Sequence, residues 1–277
     1  MAKGIGLIGN FKGKVGNMVG YKLTDSNSGN TQGIRVYQPI VKNPKTAAQA
    51  EQRAKLAPIN ATYRALKMVI DRGNEGLPYG NKSRLAWLKQ AFKAEHMPWI
   101  EKGKVVAYPV CSLLTKGSLP SFEYDSSEDA ISITAAGVEA GSSLATVGAV
   151  SSALLLALPT LKQGDQVTFV SLGEKGGILI ADVYSIVIDT ASAVAVNRFN
   201  ATSNSINYES PVVMGAGAVI ISREGANGEH LRSTETLRMA NSWDELPPYD
   251  STSKATAIES YMSSTAVNAD WAEESIQ

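Results

Sequence analysis

The sequence predicts an α+β protein: an N-terminal β-hairpin with two or three helices, then an antiparallel β-sandwich, either immunoglobulin-like or jelly-roll-like. Three observations carry this expectation. Residues 1–42 alternate short apolar and polar runs between closely spaced glycines, as strands and turns do. From Asn43 to about Glu95 the apolar spacing changes to that of helices. From about Val105 onward, short apolar runs recur between turn-forming clusters, the pattern of a sandwich.

Taken in order, strands at about 15–23 and 33–41 flank Thr24-Asp-Ser-Asn-Ser-Gly-Asn30, a stretch of turn formers that reads as a longer loop. Two strands alone are marginal in water, so this hairpin needs a further partner. Thr46-Ala-Ala-Gln49 fits a capping box, in which the threonine hydroxyl takes an orphan amide and the glutamine reaches back. Pro58 either kinks the helix that follows or begins a second one. Ile59, Tyr63, Leu66 and Ile70 continue one stripe, which stops at Gly73. A further helix at about 83–95 puts Leu85, Leu88 and Phe92 on one face, with Trp87 and Ala91 beside them. Strands are expected at 105–114, 121–124, 130–135, 144–150, 166–172, 177–189, 193–199, 211–223 and 231–239. A short helix at 252–262 and an acidic tail at 270–277 complete the chain.

Charge divides the chain where the helices give way to strands. The 277 residues are 44% hydrophobic and 19% charged, which suits a packed protein, and the net charge is zero. Residues 1–117 hold 19 Lys and Arg against 6 Asp and Glu, a net of +13, and residues 118–277 are the mirror image at −13. The expected domains are therefore a basic hairpin-and-helix region at 1–117, an acidic sandwich at 118–242 and an extension at 243–277. Opposite charge on two halves permits head-to-tail contact between copies. The single cysteine, Cys111, excludes an internal disulfide and a cysteine-based zinc site. The N-terminus has no signal-peptide pattern and no apolar run is long enough to span a bilayer, so cytosolic synthesis without membrane contact is expected.

The motifs do not assemble into an enzyme. Gly4-Ile-Gly-Leu-Ile-Gly9 matches the dinucleotide fingerprint formally, but it neither follows a buried strand nor opens a helix, and both are needed to hold a pyrophosphate. His96 and His230 lie far apart and out of metal-ligand spacing, and no G-x-S-x-G elbow is present. No catalytic residue, cofactor or metal site is expected. One signal stands out: Lys12, Lys14, Lys22, Arg35, Lys42, Lys45, Arg53, Lys55 and Arg64 are interleaved with Phe11, Tyr21, Tyr37 and Tyr63. Cations neutralise phosphates and aromatic faces stack bases, so these residues form a candidate surface for single-stranded nucleic acid or for assembly. In the plainer reading the aromatics pack on the helices and the charges face solvent.

FKGKVGNMVGYK, NPKTAAQAEQRAK and GAVIISREGANGEHLRST resemble a family found in Bacteroidetes and their phages. Its members share the GKVGN segment, an N-P-x-T-x-x-Q-x-x-R helix start and a β-rich second half. The Asn43 to Arg53 stretch is the most specific part of the likeness. The family brings no catalytic residues or ligand; what the resemblance implies is a virion or assembly component. The expected function is a non-enzymatic, self-assembling structural protein of a phage capsid or tail, partnered by copies of itself or other virion proteins. The rivals are a cytoplasmic nucleic-acid-binding protein using the basic half, and a hydrolase with its site on the sandwich loops.

Overall fold

The computed structural model describes residues 13–25, 29–37, 46–212, 214–225, 228–240 and 248–263, and within 21–25 and 29–33 and at Met214 the backbone alone. The chain divides into two units, Met1–Lys45 and Thr46–Gln277. It is α+β with a β-rich second half, as expected. The expected boundary near residue 117 does not appear, because the helices before it share a core with strands far beyond it.

In the first unit β1 (Gly13–Val15), β2 (Met18–Asp25) and β3 (Gly29–Val36) form a three-stranded antiparallel sheet. Gly16, at φ +57°, opens the two-residue turn between Val15 and Met18, which other residues enter only with strain. The expected hairpin is present with a different register. Met18 pairs with Val36 and Asp25 with Gly29, so β3 starts earlier and the connection is shorter than the sequence suggests. The turn-forming residues Thr24 and Asn30 pair within the ladder.

In the second unit a helical layer opens with α1 (Ala47–Ala65), α2 (Lys67–Ile70) and α3 (Asn81–Ala91). Thr46 caps α1, its Oγ1 accepting from Gln49 N at 3.3 Å. Pro58 lies buried inside α1, which continues through it. Of the expected face of α3, Leu88 and Phe92 pack against the core beside Trp87 and Ala91, and Leu85 does not. Ser83, Trp87 and Ala91 are buried at four-residue spacing while Leu85 is 48% exposed. A polar residue sets this rotation: Ser83 Oγ donates to the Ile70 carbonyl at 2.8 Å, closing the end of α2.

The strands that follow are β4 (Leu113–Thr115), β5 (Tyr124–Ser126), β6 (Ala130–Thr134), β7 (Gln166–Lys175), β8 (Ile178–Val187), β9 (Phe199–Thr202), β10 (Ser205–Glu209), β11 (Met214–Glu224), β12 (His230–Arg232), β13 (Glu235–Thr236) and β14 (Arg238–Met239). They build two main sheets, ordered β5-β6-β10-β9 and β12-β11-β7-β8. Lettered along the chain, these are the A-B-E-D and G-F-C-C′ orders of immunoglobulin-type sandwiches. The last strand is interrupted: β12 and β14 both pair with β11, and β13 between them leaves to pair with β4.

The larger sheet is buried on both faces, which the sequence reading did not anticipate. Val167 and Phe169 of β7 and Val219 and Ile221 of β11 enter a core shared with Ile131, Ile133, Ile206 and Tyr208 of the smaller sheet. Val170, Leu172, Ala218 and Ile220, one residue out of phase, enter a second core with Ile59, Leu66, Ile70 and Trp87 of the helices. The second unit therefore layers helices, sheet and sheet. Where a strand was expected at 144–150, the chain forms α4 (Val147–Ala157), capped by Thr146 and packed into the first core through Val150, Ala153 and Leu154. The expected strands at 105–114 and 193–199 are mostly irregular: Leu113–Thr115 and the start of β9 are strand, and Cys111 and Ala195 form isolated bridges. The C-terminal α5 (Ser251–Ser263) forms as expected and joins the helical layer, Lys254 Nζ standing 3.3 Å from Glu51 Oε1 of α1. Residues 264–277, with the expected acidic tail, lie outside the described residues.

Candidate assembly surface

The sheet of the first unit has two chemically different faces. Cross-strand register puts Lys14, Val19 and Arg35 side by side. The next row, Val15, Met18 and Val36, therefore faces the other way, and Ile34 shares its face by two-residue spacing. Val15 is 55%, Met18 40%, Ile34 44% and Val36 71% exposed. An apolar row of this kind on a sheet is normally covered. On the cationic face the Lys14 ammonium stands 3.7 Å above the centre of the Tyr37 ring, a cation–π contact that covers one face of the ring. The Tyr37 amide is tied to the Asn17 carbonyl at 2.6 Å, on the register of the β2–β3 ladder.

The other expected surface residues are distributed differently. Lys12, Lys42 and Lys45 lie outside the described residues, and Tyr21 and Lys22 are described only as backbone of β2. Arg53, Lys55 and Arg64 belong to α1 in the second unit. Lys55 Nζ pairs with Glu51 at 3.1 Å and approaches the Trp99 ring. Arg53 and Arg64, eleven residues apart, share a helix stripe that Lys55 does not. Tyr63 is a packing residue: its hydroxyl donates to Asp71 Oδ1 at 2.9 Å and its ring lies against Trp87. Of the four interleaved aromatics, Tyr63 thus belongs to the helical layer.

The remaining polar clusters sit at structural joints. Arg223 holds the buried Asp165 through two bonds, of 2.7 Å and 2.6 Å, at the start of β7. Arg198 and the Tyr208 hydroxyl both bond Asp182 Oδ2 at 2.7 Å, closing the side of the sandwich between β8 and β10. Burial and the neighbouring carboxylate push the Tyr208 hydroxyl well above the usual tyrosine range. Where β13 crosses to β4, Glu235 is 3% exposed, its Oε2 3.4 Å from the Tyr124 hydroxyl. Burial pushes its carboxyl up to about 7, against the opposing pull of Ser121, Arg238 and Ser233.

The two histidines line separate cavities of about 430 Å³ each. His96 forms an isolated antiparallel bridge with Cys111, a pairing the sequence reading missed because nothing local marks a contact across fifteen residues of irregular chain. His230 is exposed on β12 with its ring 5.5 Å from that of Tyr79. Beside it Glu75 accepts from the Ser118 and Arg232 amides at 2.9 Å and 3.1 Å, which ties two loops together. Among the described residues no group of three or more His, Cys, Asp or Glu could hold a metal ion, and no helix is long and apolar enough to cross a membrane. No protein family, curated protein or solved structure matches the chain.

Proposed function

We propose that this protein is a non-enzymatic structural subunit that associates with copies of itself, as part of a phage capsid or tail. One observation carries the reading: the exposed apolar row of Val15, Met18 and Val36, with Ile34 beside it, on one face of a three-stranded sheet. Charge supports a second copy as the partner. Residues 1–45 hold seven Lys and Arg against one Asp, and the rest of the chain carries the matching negative excess. The phage setting comes from the likeness of the GKVGN and N-P-x-T-x-x-Q-x-x-R segments.

Light scattering on the full chain tests this. The expected mass exceeds that of the 29.4 kDa single chain. The double variant I34K/V36K should show a smaller mass than the wild type with an unchanged circular dichroism spectrum, since both side chains lie outside the two cores. A wild-type chain that stays single at high concentration and moderate salt overturns the reading.

A further inference from the structure

The sandwich closes three of its four edges and leaves one open. β5, β9 and β12 are edge strands of three, four and three residues. Short edges of this kind, and the departure of β13 from the last edge, are common protections against unwanted pairing. β8 is different. It is an edge strand of ten residues, pairs among the described residues only with β7, and contains no Lys, Arg, Pro or Gly. Its single charge, Asp182, is already held by Arg198 and Tyr208.

The orientation of its backbone follows from one bond. The Ile188 amide donates to the Asp165 carbonyl at 2.7 Å, on the register that the whole β7–β8 ladder keeps. Even-numbered residues of β8 therefore turn their backbone groups toward β7, and Leu179, Ala181, Val183, Ser185 and Val187 turn theirs outward. Among the described residues no backbone group outside β7 bonds to this row. Val183 is 43% and Val187 53% exposed, so apolar side chains accompany the open backbone.

We infer that β8 pairs antiparallel with β8 of a second copy about a two-fold axis at Val183, joining two larger sheets into one continuous sheet. This register aligns all five outward residues of each strand: Val183 faces Val183, Ala181 faces Ser185, and Leu179 faces Val187. It puts Asp182 opposite Tyr184, so like charges are not opposed, whereas an axis at Asp182 would set the two carboxylates against each other. The contact rests on the self-association reading but not on the sheet of the first unit, and the two surfaces can fail separately. Strand pairing alone buries less than the ~1,200 Å² at the low end of stable interfaces, so the dimer should depend on concentration.

Cysteine crosslinking of the full chain decides it. At the axis the two Val183 Cα atoms stand about 5.5 Å apart, within disulfide reach. The two Ser185 Cα atoms are offset by four residues, roughly 13 Å along the strands. V183C should therefore give a disulfide-linked dimer on mild oxidation that reductant removes, while S185C, and the wild type with its buried Cys111, should not. The V183C crosslink should persist in the I34K/V36K background at raised concentration. If V183C fails to crosslink while light scattering shows the chain associated, pairing through β8 is overturned and the first-unit surface stands. A crosslink with S185C instead of V183C overturns the proposed register, and a chain that never associates overturns both surfaces.

Discussion

Single residues decide the joints of this fold, and Glu235 is the one with a measurable pH signature. Its carboxyl titrates near 7 in the folded chain against an ordinary value of 4.5. Between those values the folded chain keeps a proton that the unfolded chain has released, so stability should fall as pH rises through that window. Glu235→Gln removes the ionisation and keeps the shape. Denaturant unfolding at pH 5 and pH 8 should show the wild type losing about 1–3 kcal/mol more than the variant across that interval. Equal losses in both proteins would mean that Glu235 is solvated as readily as an ordinary glutamate. Polar residues at such joints were not legible in the sequence: Ser83 and Glu235 look like solvent-side residues until Ile70 and Tyr124 are seen beside them.

Among the elements, α4 shows how tertiary contact overrides local reading. Leu144 to Val150 reads as a short strand, yet Thr146 caps a helix that continues to Ala157. Gly148 belongs to the seat of that helix, where an added Cβ would lie 2.7 Å from the Ser192 carbonyl oxygen and 2.8 Å from that of Thr190. Gly148→Ala should therefore destabilise the chain by about 1–3 kcal/mol in denaturant unfolding, although alanine is the better helix former. A stabilised variant would show that the 190–192 segment yields without cost. The same override explains α3, whose buried stripe runs through Ser83, Trp87 and Ala91 rather than through Leu85. The Thr46 cap and the C-terminal helix were legible because their signals are local ones.

At the scale of the whole molecule, both hydrophobic cores lie within Thr46–Gln277. A chain lacking residues 1–45 should therefore unfold in one cooperative transition with a far-ultraviolet spectrum close to that expected for the second unit. A fragment ending at residue 117 should not fold, because the helices would lose Val170, Leu172, Ala218 and Ile220, the apolar residues they cover. Comparing the two fragments by circular dichroism and thermal unfolding checks both halves of this expectation. A cooperative transition in the 1–117 fragment would restore the boundary that the charge pattern suggested.

The sequence by itself determined the class of the fold, the antiparallel strands of its second half, the Thr46 helix start and the apolar alternation that leaves one face of the first sheet uncovered. These follow from periodicity, capping and turn chemistry, which act over a few residues. Only the tertiary structure decided where the units divide, that Ser83 and not Leu85 is buried on α3, that residues 147–157 are helical, and that β8 is the one long open edge of the sandwich among the described residues. Each of those depends on residues distant in the chain meeting across a layer. Charge misplaced the boundary for the same reason: the sign of a solvent-facing side chain says nothing about which sheet its helix covers.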